Sequence, residues 1–415
     1  MAARVPDSLR RVLALFALLG PGLIAANAGN DAGGIATYSQ VGAKYGYGLL
    51  WMMVLITLSL AIIQAMAARM GAVTGKGLAE LIRENYGIRW SAFSTVAVLI
   101  ANLGVCISEF VGIGAALQLA GLPAQVTVPI AAVGIWFIIV RGSYRSAEKV
   151  FIGLTLPFFA YPIAAILAHP DWGDVGRAIV EPRIHRDSAY LLLFVATAGT
   201  TITPYMQLYL QSAVVERGVR VEGIKKETRE AAWGAVFADL IAAFIIIATG
   251  ATLFTHGIHD VTSASDAAKA LEPFAGRYAE ALFGIGLLGA SLLAAAILPI
   301  ATSYVVSESL GLEKGIGRLP REAPVFVAII TAMIVVATLV AIVPGIPVIS
   351  LLIGVQVVNG VLLPINLWFI WRLSRSVALM GEHRNHGVID VLTAATVLFS
   401  GSLSLILVVV TLLGL

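Results

Sequence analysis

The residue whose type and position promise most chemistry is Asp31. It lies in Ala25 to Thr37, AANAGNDAGGIAT, within the first apolar stretch of the chain, with Asn27, Asn30, Gly33 and Gly34 around it. A carboxylate at bilayer depth costs at least ~2.5 kcal/mol on the mildest scale, so it is seldom there without a use. Neighbouring glycines let the helix unwind, and unwound backbone at that depth is tolerated only where it lines a protein cavity. A broken helix that offers free carbonyls and a carboxylate near the midplane is a way to hold a cation. The plainer reading is a glycine-rich packing kink with an incidental acid.

Other polar residues fall inside apolar stretches. Asn102, Cys106 and Glu109 are spaced four and three, so they share a helix face. Glu109 reads either as a buried, hydrogen-bonded structural acid or as an ion contact. Asp239 is a further acid expected in the interior. Gln356, Asn359 and Asn366 form a polar stripe, read equally well as a wet face or as interhelical hydrogen bonding. Glu308 is expected to reach the interface and is given no role. Carboxylate, amide, hydroxyl and backbone carbonyl are hard donors, suited to Mg²⁺, Ca²⁺ or Mn²⁺ rather than copper or zinc. No nucleophile with its base, Walker loop or dinucleotide fingerprint is present, which argues against a membrane enzyme.

These residues need a membrane-spanning frame, and the composition supplies one. Of the 415 residues, 59% are hydrophobic and 12% charged, so the net charge of +3 says nothing about nucleic acid. Eleven spans of roughly bilayer length are expected, at 12–42, 47–70, 91–119, 124–140, 150–168, 189–213, 231–254, 279–309, 323–343, 347–371 and 388–413. No cleavable signal is expected, because the apolar run after RVPDSLRR is too long for one. The lone Cys106 excludes an intrachain disulfide.

With the N terminus inside, all but six of the 27 lysines and arginines fall in inner segments. The six are Lys44, Arg177, Arg183, Arg186, Lys269 and Arg277. This bias predicts a cytoplasmic N terminus and an external C terminus in a multi-pass cell (inner) membrane protein. Five-helix halves, 12–168 and 189–371, would run inverted to each other, with 388–413 as an additional helix. The second half should then carry a matching break, and Thr197 to Gln207 supplies it with threonines and Pro204. Gly77 to Tyr86 reads as an amphipathic interfacial helix. In the loop His256 to Arg277, solvated polarity is favoured over metal gathering by His256, His259, Asp260 and Asp266.

GPGLIAANAGNDAGGIAT, MGAVTGKGLAELIRENYG, ISEFVGIGAALQL and PYMQLYLQS resemble the Nramp divalent-metal transporters, across almost the whole chain. The resemblance implies an all-α polytopic protein of eleven transmembrane helices, with a LeuT-type 5+5 inverted repeat plus one helix. The departures matter. Where the family reads Asp-Pro-Gly-Asn, this chain has Asp31-Ala32-Gly33-Gly34; where it reads Met-Pro-His, Thr203-Pro204-Tyr205 stands. The family's soft methionine ligand and its helix-6 histidines are thus replaced, and in the helix-3 Asp-Ile-Ala-Glu segment only Glu109 survives. Gln356 matches the family's metal-approaching glutamine. These substitutions resemble the magnesium-transporting branch.

The metal-site residues so implied are Asp31, Gly34, Thr200, Thr203 and Gln356, with Asn30, Glu109, Asp239 and Asn359 supporting. The expected activity is a secondary transporter that takes Mg²⁺, and also Mn²⁺, into the cell by alternating access without proton coupling. The metal is substrate, with no cofactor, no nucleic acid and no obligate protein partner. Alternatives are a proton-coupled Mn²⁺/Fe²⁺ symporter of the same fold, an organic-solute symporter in which Asp31 meets an ammonium group, and a passive cation channel.

Overall fold

The structure, a computed structural model, describes residues 30–141, 160–185, 187–272, 276–316 and 320–413. Among these residues it is helical, without strands. Among the described residues, nine helical stretches are long and apolar enough to cross a bilayer. The two other expected spans are described only in part, as α1 (Ala32–Tyr45) and α6 (Ala160–Leu167). Asn27 and the early parts of both spans lie outside the described residues, as do Arg145, Lys149, Arg186 and Arg318.

The remaining helices are α2 (Leu50–Thr74), α3 (Leu78–Tyr86), α4 (Ile88–Leu119), α5 (Ala124–Arg141), α7 (Trp172–Val180), α8 (Ser188–Thr201), α9 (Pro204–Glu216), α10 (Ile224–Thr252), α11 (Ala264–Ala268), α12 (Ala279–Leu310), α13 (Pro324–Ala341), α14 (Val348–Ser374), α15 (Val377–Met380) and α16 (Gly387–Leu413). α1 sits at the centre, packed against α10, α14, α8 and α4, and is buried from Ala32 to Ala43. At the periphery, Ile130, Val133, Leu398 and Leu412 are two-thirds or more exposed. Such large apolar side chains on α5 and α16 form a lipid-facing surface.

Local chemistry sets the helix ends around the centre. Asp31 N-caps α1. α8 ends at Thr201 and α9 restarts at Pro204, whose missing N–H costs nothing at a first helical position. α8 and α14 approach closely: a Cβ on Gly199 would lie 2.2 Å from the Gln356 carbonyl oxygen and 2.4 Å from the Gly360 nitrogen. Only glycine fits there.

Two expectations are revised. The amphipathic segment is a helix, α3, but its apolar face of Leu78, Leu81 and Ile82 is buried by protein, against α4 and α12, rather than by lipid. Glu308 does not reach solvent: it is 3% exposed, accepts from Ser212 Oγ at 2.9 Å and pairs with Lys314 at 3.1 Å. The loop after α12 folds back over the helix end, which depth along a span does not reveal. In the loop before α12, the polar groups bind their own surroundings. Asp266 closes a capping box with Ser263, Lys44 pairs with Asp260 at 3.4 Å, and Gln40 Nε2 donates to the His259 carbonyl at 3.2 Å. Among the described residues no three metal-ligating side chains of His, Cys, Asp or Glu converge.

Candidate metal site at the broken helices

The site is built on the N-terminus of α1. The Gly34 N–H donates to Asp31 Oδ1 at 2.6 Å, and the Ile35 N–H to the Asp31 carbonyl at 2.9 Å. These bonds fix the carboxylate over the positive end of the helix dipole, which favours it. From α14, Gln356 Nε2 reaches both carboxylate oxygens, at 3.3 and 3.5 Å. From the end of α8, the Thr200 hydroxyl bonds the same carboxylate. Asp31, Thr200, Thr203 and Gln356 are each no more than 1% exposed.

Gly34 therefore orients the ligand through its N–H and presents no side chain. Thr203 N-caps α9 in extended conformation; its hydroxyl lies near Tyr205 and makes no hydrogen bond to Asp31. Asn359 Nδ2 donates to the Gly199 carbonyl at 2.9 Å and to Gln356 Oε1 at 3.3 Å, so it holds the amide that faces Asp31. Asn30 Nδ2 donates to the Ala238 carbonyl at 2.9 Å, which leaves its Oδ1 buried without a partner.

Glu109 belongs to the same constellation. Its Oε2 accepts the Ala32 N–H at 3.1 Å, and its Oε1 accepts from Ser108 at 3.2 Å. A second carboxylate thus grips the first turn of α1 from the scaffold helix α4. Gly112 makes room for this junction, since a Cβ there would fall 2.6 Å from the Ala32 Cβ.

Asp239 is not gathered in. It lines an apolar cavity of about 670 Å³ between α2, α7 and α10, beside Thr57. No hydrogen bond joins it to Asp31 or Glu109 among the described residues. The polar stripe of α14 divides: Gln356 and Asn359 serve the site, whereas Asn366 Oδ1 accepts from Ser94 at 3.0 Å as an interhelical tie. Asn102 likewise ties α4 to α12, donating to Thr302 at 2.9 Å.

Two polar groups passed over in the sequence lie nearby. Tyr38 OH shares a 2.7 Å hydrogen bond with Thr201, joining α1 to α8. Gln64 is fully buried, with Nε2 3.8 Å from Met206 Sδ and Oε1 without a partner. As a lone amide in an apolar helix, Gln64 was visible in the sequence.

Electrostatics completes the description. Among the described residues, no lysine, arginine or histidine bonds Asp31 or Glu109. The ion pairs at the helix ends use other acids. Two neighbouring carboxylates in a buried place with no basic partner will attract a mobile cation. The C-terminal end of α8 adds its negative pole.

A family model described as Natural resistance-associated macrophage protein-like, Nramp, matches residues 22–410. The chain belongs to the Nramp family. Among curated relatives, the divalent metal cation transporter MntH of Ralstonia nicotianae is 31% identical over 92% of this chain and 88% of its own length. The Bacillus subtilis protein of the same name is 29% identical over 80% of this chain and 78% of its own.

In three dimensions the chain is similar to the Eremococcus coleocola manganese transporter (TM-score 0.78, 21% identity, 98% of this chain and 88% of that one). It is also similar to MhsT, solved with L-phenylalanine (TM-score 0.62, 15% identity, 94% and 97%). At these identities the likeness is one of fold, and it is the LeuT-type transporter fold expected from the sequence. This Nramp chain is a multi-pass membrane protein of that architecture.

Proposed function

We propose that this chain carries divalent cations, Mg²⁺ and also Mn²⁺, into the cell by alternating access, and that it does so without a coupled proton. It is a transporter, not an enzyme, and the metal is its substrate. Its relatives bear the names of divalent metal and manganese transporters. The observation that carries the ion preference is the set of groups around Asp31: a backbone N–H, the Thr200 hydroxyl and the Gln356 amide. Neither sulfur nor imidazole is among them.

Gly34 and Thr203 stand where the family motif has an amide and a thioether. Mg²⁺ sheds water reluctantly and is usually held through one or two carboxylates with several waters kept. Shorter residues at 34 and 203 suit an ion that keeps part of its shell, and hard donors suit Mg²⁺ and Mn²⁺ over softer metals. The Gln356 amide, turned about its last torsion, can offer Oε1 where Nε2 now faces the carboxylate.

Voltage suffices to drive uptake. Two charges crossing a potential yield ~4.6 kcal/mol per 100 mV, from ~2.3 per charge. At ~1.4 kcal/mol per tenfold, that supports a gradient of about three orders of magnitude. The repeats 12–168 and 189–371, a cell-membrane location and a cytoplasmic N terminus belong to the same proposal, supported by the break between α8 and α9, by the matching break that the sequence predicts at Asp31 and by the basic-residue bias.

A proton-coupled Mn²⁺ symporter is the second reading, and Glu109 favours it: a buried acid bonded to the residue that follows Asp31. Proteoliposomes with a negative interior separate the two when Mg²⁺, Mn²⁺ and Ca²⁺ influx is recorded together with lumenal pH. The first reading expects Mg²⁺ entry without acidification. Acidification in step with metal entry, absent from empty liposomes, overturns it in favour of the second.

A further inference from the structure

A cavity of about 510 Å³ opens between α2, α10 and the segment joining α15 to α16, away from the metal site. Arg69 at the end of α2, Arg229 at the start of α10 and Arg384 in the joining segment all line it, against the single acid Glu382. Among the described residues, neither Arg229 nor Arg384 forms an ion pair; the acids nearby are engaged elsewhere, Glu227 by Arg217 and Glu230 by Lys226. Arg69 is held in place. Its Nη2 donates to Asn385 Oδ1, and Asn385 is in turn fixed by its N–H to the Ser374 carbonyl at 2.8 Å and its Nδ2 to Met66 Sδ at 3.1 Å. The Arg69 Nε is shielded from solvent and finds no acceptor.

Thr228, His383 and His386 add polar groups beside the arginines, and the wall along α2 is apolar, with Ala61, Ile62 and Ala65. Ala61 stands eight residues before Arg69, about 12 Å deeper at the rise of a helix. It also lines the larger apolar cavity that continues along α2 and α10. The order is thus cationic at the helix ends and apolar toward the middle of the spans, the order of an anionic phospholipid. We infer that this cavity is a binding site for an anionic phospholipid of the adjoining leaflet, its phosphate between Arg69, Arg229 and Arg384 and an acyl chain along α2. Guanidinium forks match phosphate oxygens in pairs, and basic cavities between transmembrane helices are suited to such headgroups.

The test is native mass spectrometry of the full chain in detergent, titrated with dioleoyl phosphatidylglycerol or dioleoyl phosphatidylcholine. The first should add as a saturable adduct and the second only weakly. Each surface arginine contributes about fivefold, so Arg229→Gln with Arg384→Gln should weaken phosphatidylglycerol binding about 25-fold. Arg229→Lys with Arg384→Lys keeps the charges but loses the forks, so it should retain more than the glutamine variant and less than the native chain. Lys225→Gln, an exposed charge on the same face outside the cavity, should change nothing. Thermal unfolding of each variant establishes that it is folded.

Equal binding of the two lipids, or an undiminished phosphatidylglycerol adduct in a folded Arg229→Gln/Arg384→Gln protein, overturns the inference. So does an equal loss in Lys225→Gln, which would mean diffuse surface attraction. Displacement of the lipid by an equal concentration of inorganic phosphate would assign the arginines to a soluble anion and overturn the lipid.

Discussion

Replacing Gly33 by alanine sets a methyl carbon 2.1 Å from Nε2 of Gln356 and 2.9 Å from its Cδ. Both atoms are at the far end of a flexible side chain, so the amide can swing away while the fold stays intact. What is lost is the approach of Gln356 to Asp31, presently 3.3 and 3.5 Å. A hydrogen bond to a charged group contributes about 1.5–3 kcal/mol. The turned amide would give the ion its Oε1 from that same place, and losing a contact of that size to the ion raises the KM for Mg²⁺ roughly tenfold to hundredfold. Gly199→Ala is the contrasting case, because its methyl meets backbone of α14 at 2.2 and 2.4 Å and no rotamer relieves it. The helices must part, at about 1–3 kcal/mol or more for overpacking. Mg²⁺ influx into proteoliposomes and thermal unfolding in detergent, measured on both variants, make the comparison. Gly33→Ala should melt like the native protein and transport poorly at low Mg²⁺, whereas Gly199→Ala should melt earlier. An unchanged KM in Gly33→Ala, or a native melting temperature in Gly199→Ala, would refute the reasoning.

Asp31→Ala should fold and lose most transport; near-native Mg²⁺ flux would remove Asp31 from the site. Gly34→Asn combined with Thr203→Met should shift preference toward Mn²⁺ or Cd²⁺, since sulfur favours softer ions; competition by Cd²⁺ against Mg²⁺ uptake reads this directly. Glu109→Gln keeps an acceptor for the Ala32 N–H and should stay folded, whereas Glu109→Ala leaves a buried donor unpaired and should cost about 1–3 kcal/mol in denaturant unfolding. Outside the spans, the hydrogen bond from Arg183 holds the Asp174 carboxyl below the usual carboxylate range. That stabilisation is present above the ordinary value near 3.8 and fades as pH falls through the lower folded one. Melting temperature should therefore not fall on this account between pH 7 and 5, and the drop below pH 4 should be smaller in Arg183→Gln.

What could be read from the sequence follows from which signals are local. The break before Pro204 and the cap at Asp31 are local: a proline without an N–H and glycines beside an acid announce themselves. The face shared by Gln356 and Asn359 is set by helical period. The partner of that face is not, and Asn366 on the same helix turned out to serve α4. The hold of Glu109 on α1 joins residues 77 positions apart through a backbone N–H, which no side-chain pattern records. Asp239 shows the same limit. Its depth in the membrane was legible, but depth does not give the direction in which a helix presents a residue. Glu308 was misread because the chain after α12 folds back to bring Lys314 over it. Those contacts depend on where loops return, and that is decided by packing of the whole bundle.

A carrier makes half of its journeys empty, and the bond between Gln356 and Asp31 bears on that half. A lone carboxylate stranded in a dry interior would pin an unloaded protein in whichever orientation let water reach it. Here the amide nitrogen of one side chain, with the Gly34 N–H, stands in for the absent passenger and keeps the acid company while the helices exchange places. The stand-in is covalently attached to α14, so it is always at hand, and it is neutral, so an arriving ion of charge two outcompetes it. On the proposed function, the group that eases the empty return is thus a glutamine that carries no charge itself.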